Sequence, residues 1–245
     1  MLYRKLPKTD KLRLKCYQAV LDNDDIYTVE NHIMNWHTLN LAQTTYDSFH
    51  EAYEQYTIAL QNQSRKLKKT AKLFQNAELY LRHFVQVLLM SVQRGEIKPG
   101  VLQYYGLDAK TMAIPDFKSK DGIVKNGRLI IDGEKKRLKK SCVPIYNPSI
   151  AKVAVHYDIL VDALEEEANL RMRVNKTHQT LVDARKEADL VLSLLWDEIA
   201  RSFAKLPREE RPEHCRKYGI IYYERKEPVL EEAEVQETSE SQEDD

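Results

Sequence analysis

The sequence predicts a mainly all-α protein, two tandem long-helix repeats packed antiparallel with a small β-ribbon inserted between them. Three observations carry this. A three-four spacing runs unbroken from Leu39 to Ser91. One line of it is Leu39, Tyr46, Tyr53, Leu60, Leu67, Phe74, Leu81 and Leu88, and the other is Ala42, Phe49, Tyr56, Gln63, Thr70, Ala77, Phe84 and Ser91. A seven-residue repeat of that length, with no Pro or Gly inside it, marks a long packed helix. The pattern then returns. Moving along by 111 residues lays Tyr46–Asp47 on Tyr157–Asp158, Ala77 on Ala188, Leu81 on Leu192 and Ser91 on Ser202. Each helix is followed by Tyr-Gly and an aliphatic residue, Tyr105-Gly106-Leu107 and Tyr218-Gly219-Ile220. These paired landmarks favour an internal duplication over a chance match of two amphipathic helices. Finally, charged residues make up 31% of the chain and there are only 7 glycines, which suits long helices better than sheet.

The elements follow in order. Residues 1–27 form a basic segment holding a short helix, capped by Thr9, that runs from Asp10 to about Leu21 and ends at Asp22-Asn23-Asp24-Asp25. The first repeat, 28–107, is a long helix from near Thr28 to about Arg94, ended by Gly95. Val101–Tyr105 adds a helical turn, closed by a left-handed Gly106 with Leu107 as the apolar partner just beyond. In 108–146, Asn126-Gly127 and Asp132-Gly133 flank apolar runs and predict the tight turns of a ribbon. The second repeat, 147–223, opens with Asn147 as cap and Pro148 in the first turn, and its long helix stops by Pro207. A short piece then closes at Gly219, and Ile220–Tyr223 is an edge strand. The tail, 224–245, is Glu- and Ser-rich without aromatics beyond Pro228 and predicts disorder.

Each long helix has a polar waist, Gln61–Lys69 and Glu165–Thr180. Two architectures accommodate it. Both helices run straight and cross antiparallel, or each bends back, at Asn62 and Asn175, into a four-helix bundle. Heptad phase held through Leu60, Gln63 and Leu67 favours straight helices, whereas the many-sided apolar flanks Leu79–Val92 and Leu190–Phe203 favour the bundle.

The net charge of zero hides segregation. Met1–Lys15 carries six Lys/Arg against one Asp, Phe117–Lys140 nine against three acids, and Glu227–Asp245 nine acids and no base. The start of the chain has no apolar h-region, and the longest greasy stretch, Phe84–Val92, is too short to span a bilayer. Cys16, Cys142 and Cys215 read as reduced thiols of a cytoplasmic protein.

No catalytic set emerges. A di-iron bundle needs Glu-x-x-His pairs, and no Glu here has His three residues on. His50-Glu51 starts a zincin pattern, but position 54 is Glu. His178, on the heptad face, reads as a polar residue that sets register. Glu213-His214-Cys215 sets a base beside a thiol, but helix neighbours do not face each other. The glycines form no phosphate-binding loop. Neither a metal nor a cofactor is expected.

One feature suggests binding. Lys118, Lys120, Lys125, Arg128, Lys135, Lys136, Arg137, Lys139 and Lys140 crowd the expected ribbon. Such a surface suits an acidic partner or phosphates, or simply guards an edge strand against aggregation. The resulting expectation is a non-enzymatic cytoplasmic scaffold or assembly protein that works through protein–protein contacts or self-association. The alternative is a nucleic-acid-associated protein using 117–140 and the basic N-terminal segment.

Overall fold

The computed structural model describes residues 2–23 and 33–224. The expected helix start at Thr28 and the tail from 225 onward lie outside them. Element order is β1 (Leu2–Arg4), α1 (Asp10–Asn23), α2 (Trp36–Gln93), a 3₁₀ segment (Pro99–Tyr105), α3 (Lys120–Leu138), α4 (Ile150–Ser202), a 3₁₀ turn (Phe203–Lys205), α5 (Arg211–Lys217) and β2 (Tyr222–Glu224). Two compact units result. The terminal unit comprises Met1–Phe49 with Arg185–Asp245, and the central unit His50–Ala184. Helix α2 passes unbroken through Asn62 and α4 through Asn175, so neither bends back at its waist as the four-helix alternative requires.

In the central unit α2 and α4 pack antiparallel. Tyr80 stacks on His156 with ring centroids 4.1 Å apart, Lys66 pairs with Glu166, and Tyr56 meets His178 at 5.3 Å. The middle of the seam is narrow, with Ala52, Ala59 and Thr70 buried on α2 and Ala163, Glu167 and Val174 on α4. Leu60 and Leu67, expected on that seam, are instead 39% and 42% exposed. The reason is geometric: successive residues of an α-helix point about 100° apart, so where Ala59 is buried its neighbour Leu60 turns out to the side. Farther along, Leu81 is buried again, now beside α3.

The expected ribbon is the main correction: residues 120–138 form α3, a helix of 19 residues. Neither Gly127 nor Gly133 has a positive φ, as a tight hairpin would demand. Both are contact points. A Cβ on Gly127 would stand 2.7 Å from the Tyr157 ring, and one on Gly133 2.6 Å from the Tyr104 carbonyl oxygen. Glycine lets the helix sit that close. The many-sided apolar flank of α2 is explained by the same packing. Leu81, Val85, Leu88, Leu89 and Val92 share one core with Leu102 and Tyr105 of the 3₁₀ segment and Ile123 and Ile130 of α3.

In the terminal unit α1 lies against α4. Arg13 grips Asp189 through two hydrogen bonds of 2.8 Å, Arg185 grips Asp10 through two of 2.7 Å, and the Tyr17 hydroxyl donates to the Ala188 carbonyl at 2.8 Å. The two-stranded sheet is here and not between the two long helices. Strand β1 pairs antiparallel with β2, Leu2 opposite Glu224, Tyr3 opposite Tyr223 and Arg4 opposite Tyr222. The cap of α2 lies seven residues beyond the expected start at Thr28, and that of α4 two residues beyond Asn147. Asn35 caps α2, its side chain accepting from the His37 N–H at 3.1 Å. Ser149, two residues after Asn147, caps α4 by accepting from the Lys152 N–H at 3.4 Å.

Candidate interaction surface on the third helix

Helix α3 starts from a knot of local hydrogen bonds. The Ser119 hydroxyl accepts from the Gly122 N–H at 3.0 Å and donates to Asp116 at 2.5 Å. That hydroxyl, with the Lys118 N–H, holds the Asp116 carboxyl below the usual carboxylate range. Asn126, expected in a turn, donates from the helix to the Asp116 carbonyl at 2.8 Å. The inner face reads Ile123, Gly127, Ile130, Glu134 and Arg137, a three-four spacing that fixes which side packs.

The last two members of that face form a buried ionic cluster. Arg137 meets Glu134 through Nε–Oε2 at 2.8 Å and Nη2–Oε1 at 2.7 Å, and its Nη1 donates to the Val143 carbonyl at 2.9 Å. The Tyr105 hydroxyl donates to Glu134, and Arg137 Nε donates to that hydroxyl at 3.0 Å. Hydrogen bonding to Glu134 holds the Arg137 guanidinium in its charged form, and burial followed by Glu134 pushes the Tyr105 phenol far above its usual value. Arg137 also borders a cleft of about 880 Å³ lined by Val87, Ile97, Val101, Val143 and Ile145. Its charge is already answered there, which removes it from the expected contact set.

The other eight cations divide. Lys120 reaches Glu167 at 2.5 Å, Arg128 reaches Asp132 at 3.1 Å, and Lys140 bonds to the Tyr104 hydroxyl and lies 4.8 Å from that ring. Lys118, Lys125, Lys135, Lys136 and Lys139 are exposed. Helical spacing places Lys125, Arg128, Lys136 and Lys139 on one outward ridge, with Asp121 ahead of them and Asp132 between them. A rigid helix bearing fixed, mixed charge offers a defined pattern, where the expected ribbon offered only a loose edge.

Elsewhere, His178 faces Tyr56, and His214 lies 5.4 Å from Phe203 while Cys215 is buried. Among the described residues no group of three or more His, Cys, Asp or Glu is placed to hold a metal ion, and no helix is long and apolar enough to cross a membrane. Two buried acids escaped sequence reasoning, Glu134 and Glu167. Glu167 had a signal. It interrupts the apolar line Leu160, Val174, Leu181, Ala188, Leu195 at seven-residue steps.

No protein-family model matches the chain, and neither a curated protein nor a solved structure matches it.

Proposed function

We propose that this chain is a non-enzymatic cytoplasmic assembly protein that holds a protein partner on the outer ridge of α3. The observation that carries the reading is the division of α3 into two faces. Its inner face is anchored by Ile123, Ile130 and the Glu134–Arg137 pair, and its outer face presents Lys125, Arg128, Lys136 and Lys139. A nucleic acid is the alternative occupant. Asp121 and Asp132 on the ridge favour a protein, because they repel phosphates and complement a mixed-charge face. Stacking aromatics are also scarce beside the cations.

The test uses a triple variant, Lys125→Glu, Lys136→Glu and Lys139→Glu. A partner captured by the wild-type chain and lost by the variant at low salt supports the reading, and equal capture by both sets it aside. A salt-titrated gel shift checks the alternative, and no shift at low salt removes it.

The duplication belongs to the same proposal. It is supported by the two Tyr-Gly segments, which close alike. Gly106 N–H bonds three residues back and Leu107 N–H five residues back, and Gly219 and Ile220 repeat both steps.

A further inference from the structure

A second cleft in the central unit, about 400 Å³, is bordered by Leu67, Thr70 and Phe74 of α2, by Lys118 and Lys120 at the start of α3, and by Glu167 of α4. Two of these are polar groups in an anomalous state. Thr70 is 2% exposed and Glu167 3% exposed, and neither Thr70 Oγ1 nor Glu167 Oε2 has a hydrogen-bond partner among the described residues. Buried polar atoms are nearly always bonded, so two orphans bordering one cleft call for a ligand group. Only the other oxygen of Glu167 is answered, by Lys120 at 2.5 Å and by Arg171 at 3.7 Å. The Lys120–Glu167 pair also borders a neighbouring cleft of about 690 Å³ on its other side. Lys120 is half exposed.

We propose that this cleft binds a free α-amino acid with an apolar side chain. The ammonium answers Glu167 Oε2 and Thr70 Oγ1. The carboxylate meets Lys118 and Lys120, and the side chain rests on Leu67, Ala71 and Phe74. Simpler guests fit less well. A plain cation is repelled by the two lysines, a plain anion leaves Glu167 Oε2 unanswered, and a water molecule uses neither the lysines nor the apolar wall. The volume lies in the range of small-molecule sites.

The experiment is calorimetric titration of the full chain with L-phenylalanine, N-acetyl-L-phenylalanine and 2-phenylethylamine. The expected result is one-to-one, saturable binding of L-phenylalanine and about tenfold weaker binding of each analogue, a difference of about 1.4 kcal/mol. Thr70→Val, which keeps the shape, and Lys118→Ala, at an exposed position, each weaken L-phenylalanine by about fivefold or more with the helical signal unchanged. Glu167→Gln weakens it further where that variant folds. No saturable binding up to about 10 mM overturns the proposal. Equal binding of the N-acetyl form, or affinity unchanged in both folded variants, does the same.

Discussion

The Glu134 carboxylate and the Arg137 guanidinium are joined edge to edge inside the central unit, with their side chains 0% and 3% exposed. Removing one partner strands a buried charge. Arg137→Met is therefore expected to lower stability by about 3–5 kcal/mol. The double change Glu134→Leu with Arg137→Met should cost much less, because no charge is left behind. Urea denaturation of the three proteins checks this, and a single variant as stable as wild type would contradict it.

Gly133→Ala places a methyl group 2.6 Å from the Tyr104 carbonyl oxygen, and backbone cannot swing aside. A loss of about 1–3 kcal/mol is expected, outweighing the gain of about 1 kcal/mol from better helix propensity. Gly127→Ala meets a ring and loses stability as well. Gly100→Ala has nothing within 4 Å and should leave the melting temperature unchanged.

The seam predicts opposite responses at neighbouring positions. Ala59→Leu forces a large side chain into the narrow α2–α4 contact and should cost about 1–3 kcal/mol. Leu60→Gln, at an exposed site, should stay within about 0.5 kcal/mol. A reversed order in thermal melts would mean that the stripe faces the other way.

Much of this fold could be read directly from residue spacing, because long helices repeat their signal many times. Both long helices, and the left-handed Gly106 with Leu107 beyond it, follow from pattern alone, whereas Ile220, read as the start of a strand, closes the turn after Gly219 and β2 begins at Tyr222. The middle of the chain misled. Asn-Gly and Asp-Gly carry a strong local turn signal, whereas the use of Gly127 and Gly133 depends on Tyr157 and Tyr104, distant residues that local sequence does not reveal. The nine-cation set suffered from the same error. A ribbon puts every lysine at an edge, but a helix buries Arg137 and divides the rest between paired and open positions.

Alkaline pH should weaken the terminal unit. Burial pushes the Cys16 thiol from its ordinary 9.0 up to about 11, against the opposing pull of Arg13. Burial, then Asp189 and Glu187, raises the Tyr17 phenol too. In the unfolded chain the thiol ionises from about pH 9, whereas in the folded chain it stays neutral until about pH 11. Stability that is full below about pH 9 is thus lost as pH rises through about 11, by about 2–3 kcal/mol from Cys16 alone. Cys16→Ala should flatten part of that slope in denaturation curves taken across the window.

The expected self-association has an exposed basis on the apolar flanks of the two long helices. Leu88 belongs to the central core, but Leu190 and Leu194, one turn apart on α4, are 69% and 55% exposed. Light scattering should show mass rising with concentration for the wild-type chain, and a constant monomer mass for Leu190→Glu with Leu194→Glu. A wild-type chain that stays monomeric at high concentration would remove the expectation.

The pairing of β1 with β2 also sets how the molecule yields to tension. Leu2 lies opposite Glu224, so the first and last described strands enter their ladder from the same end. A pull applied to the two chain ends peels that ladder open rung by rung, beginning at Leu2, and never loads its rungs together in shear. Stretched between two beads, the protein should give way first at this clasp, under low force, before either long helix is disturbed.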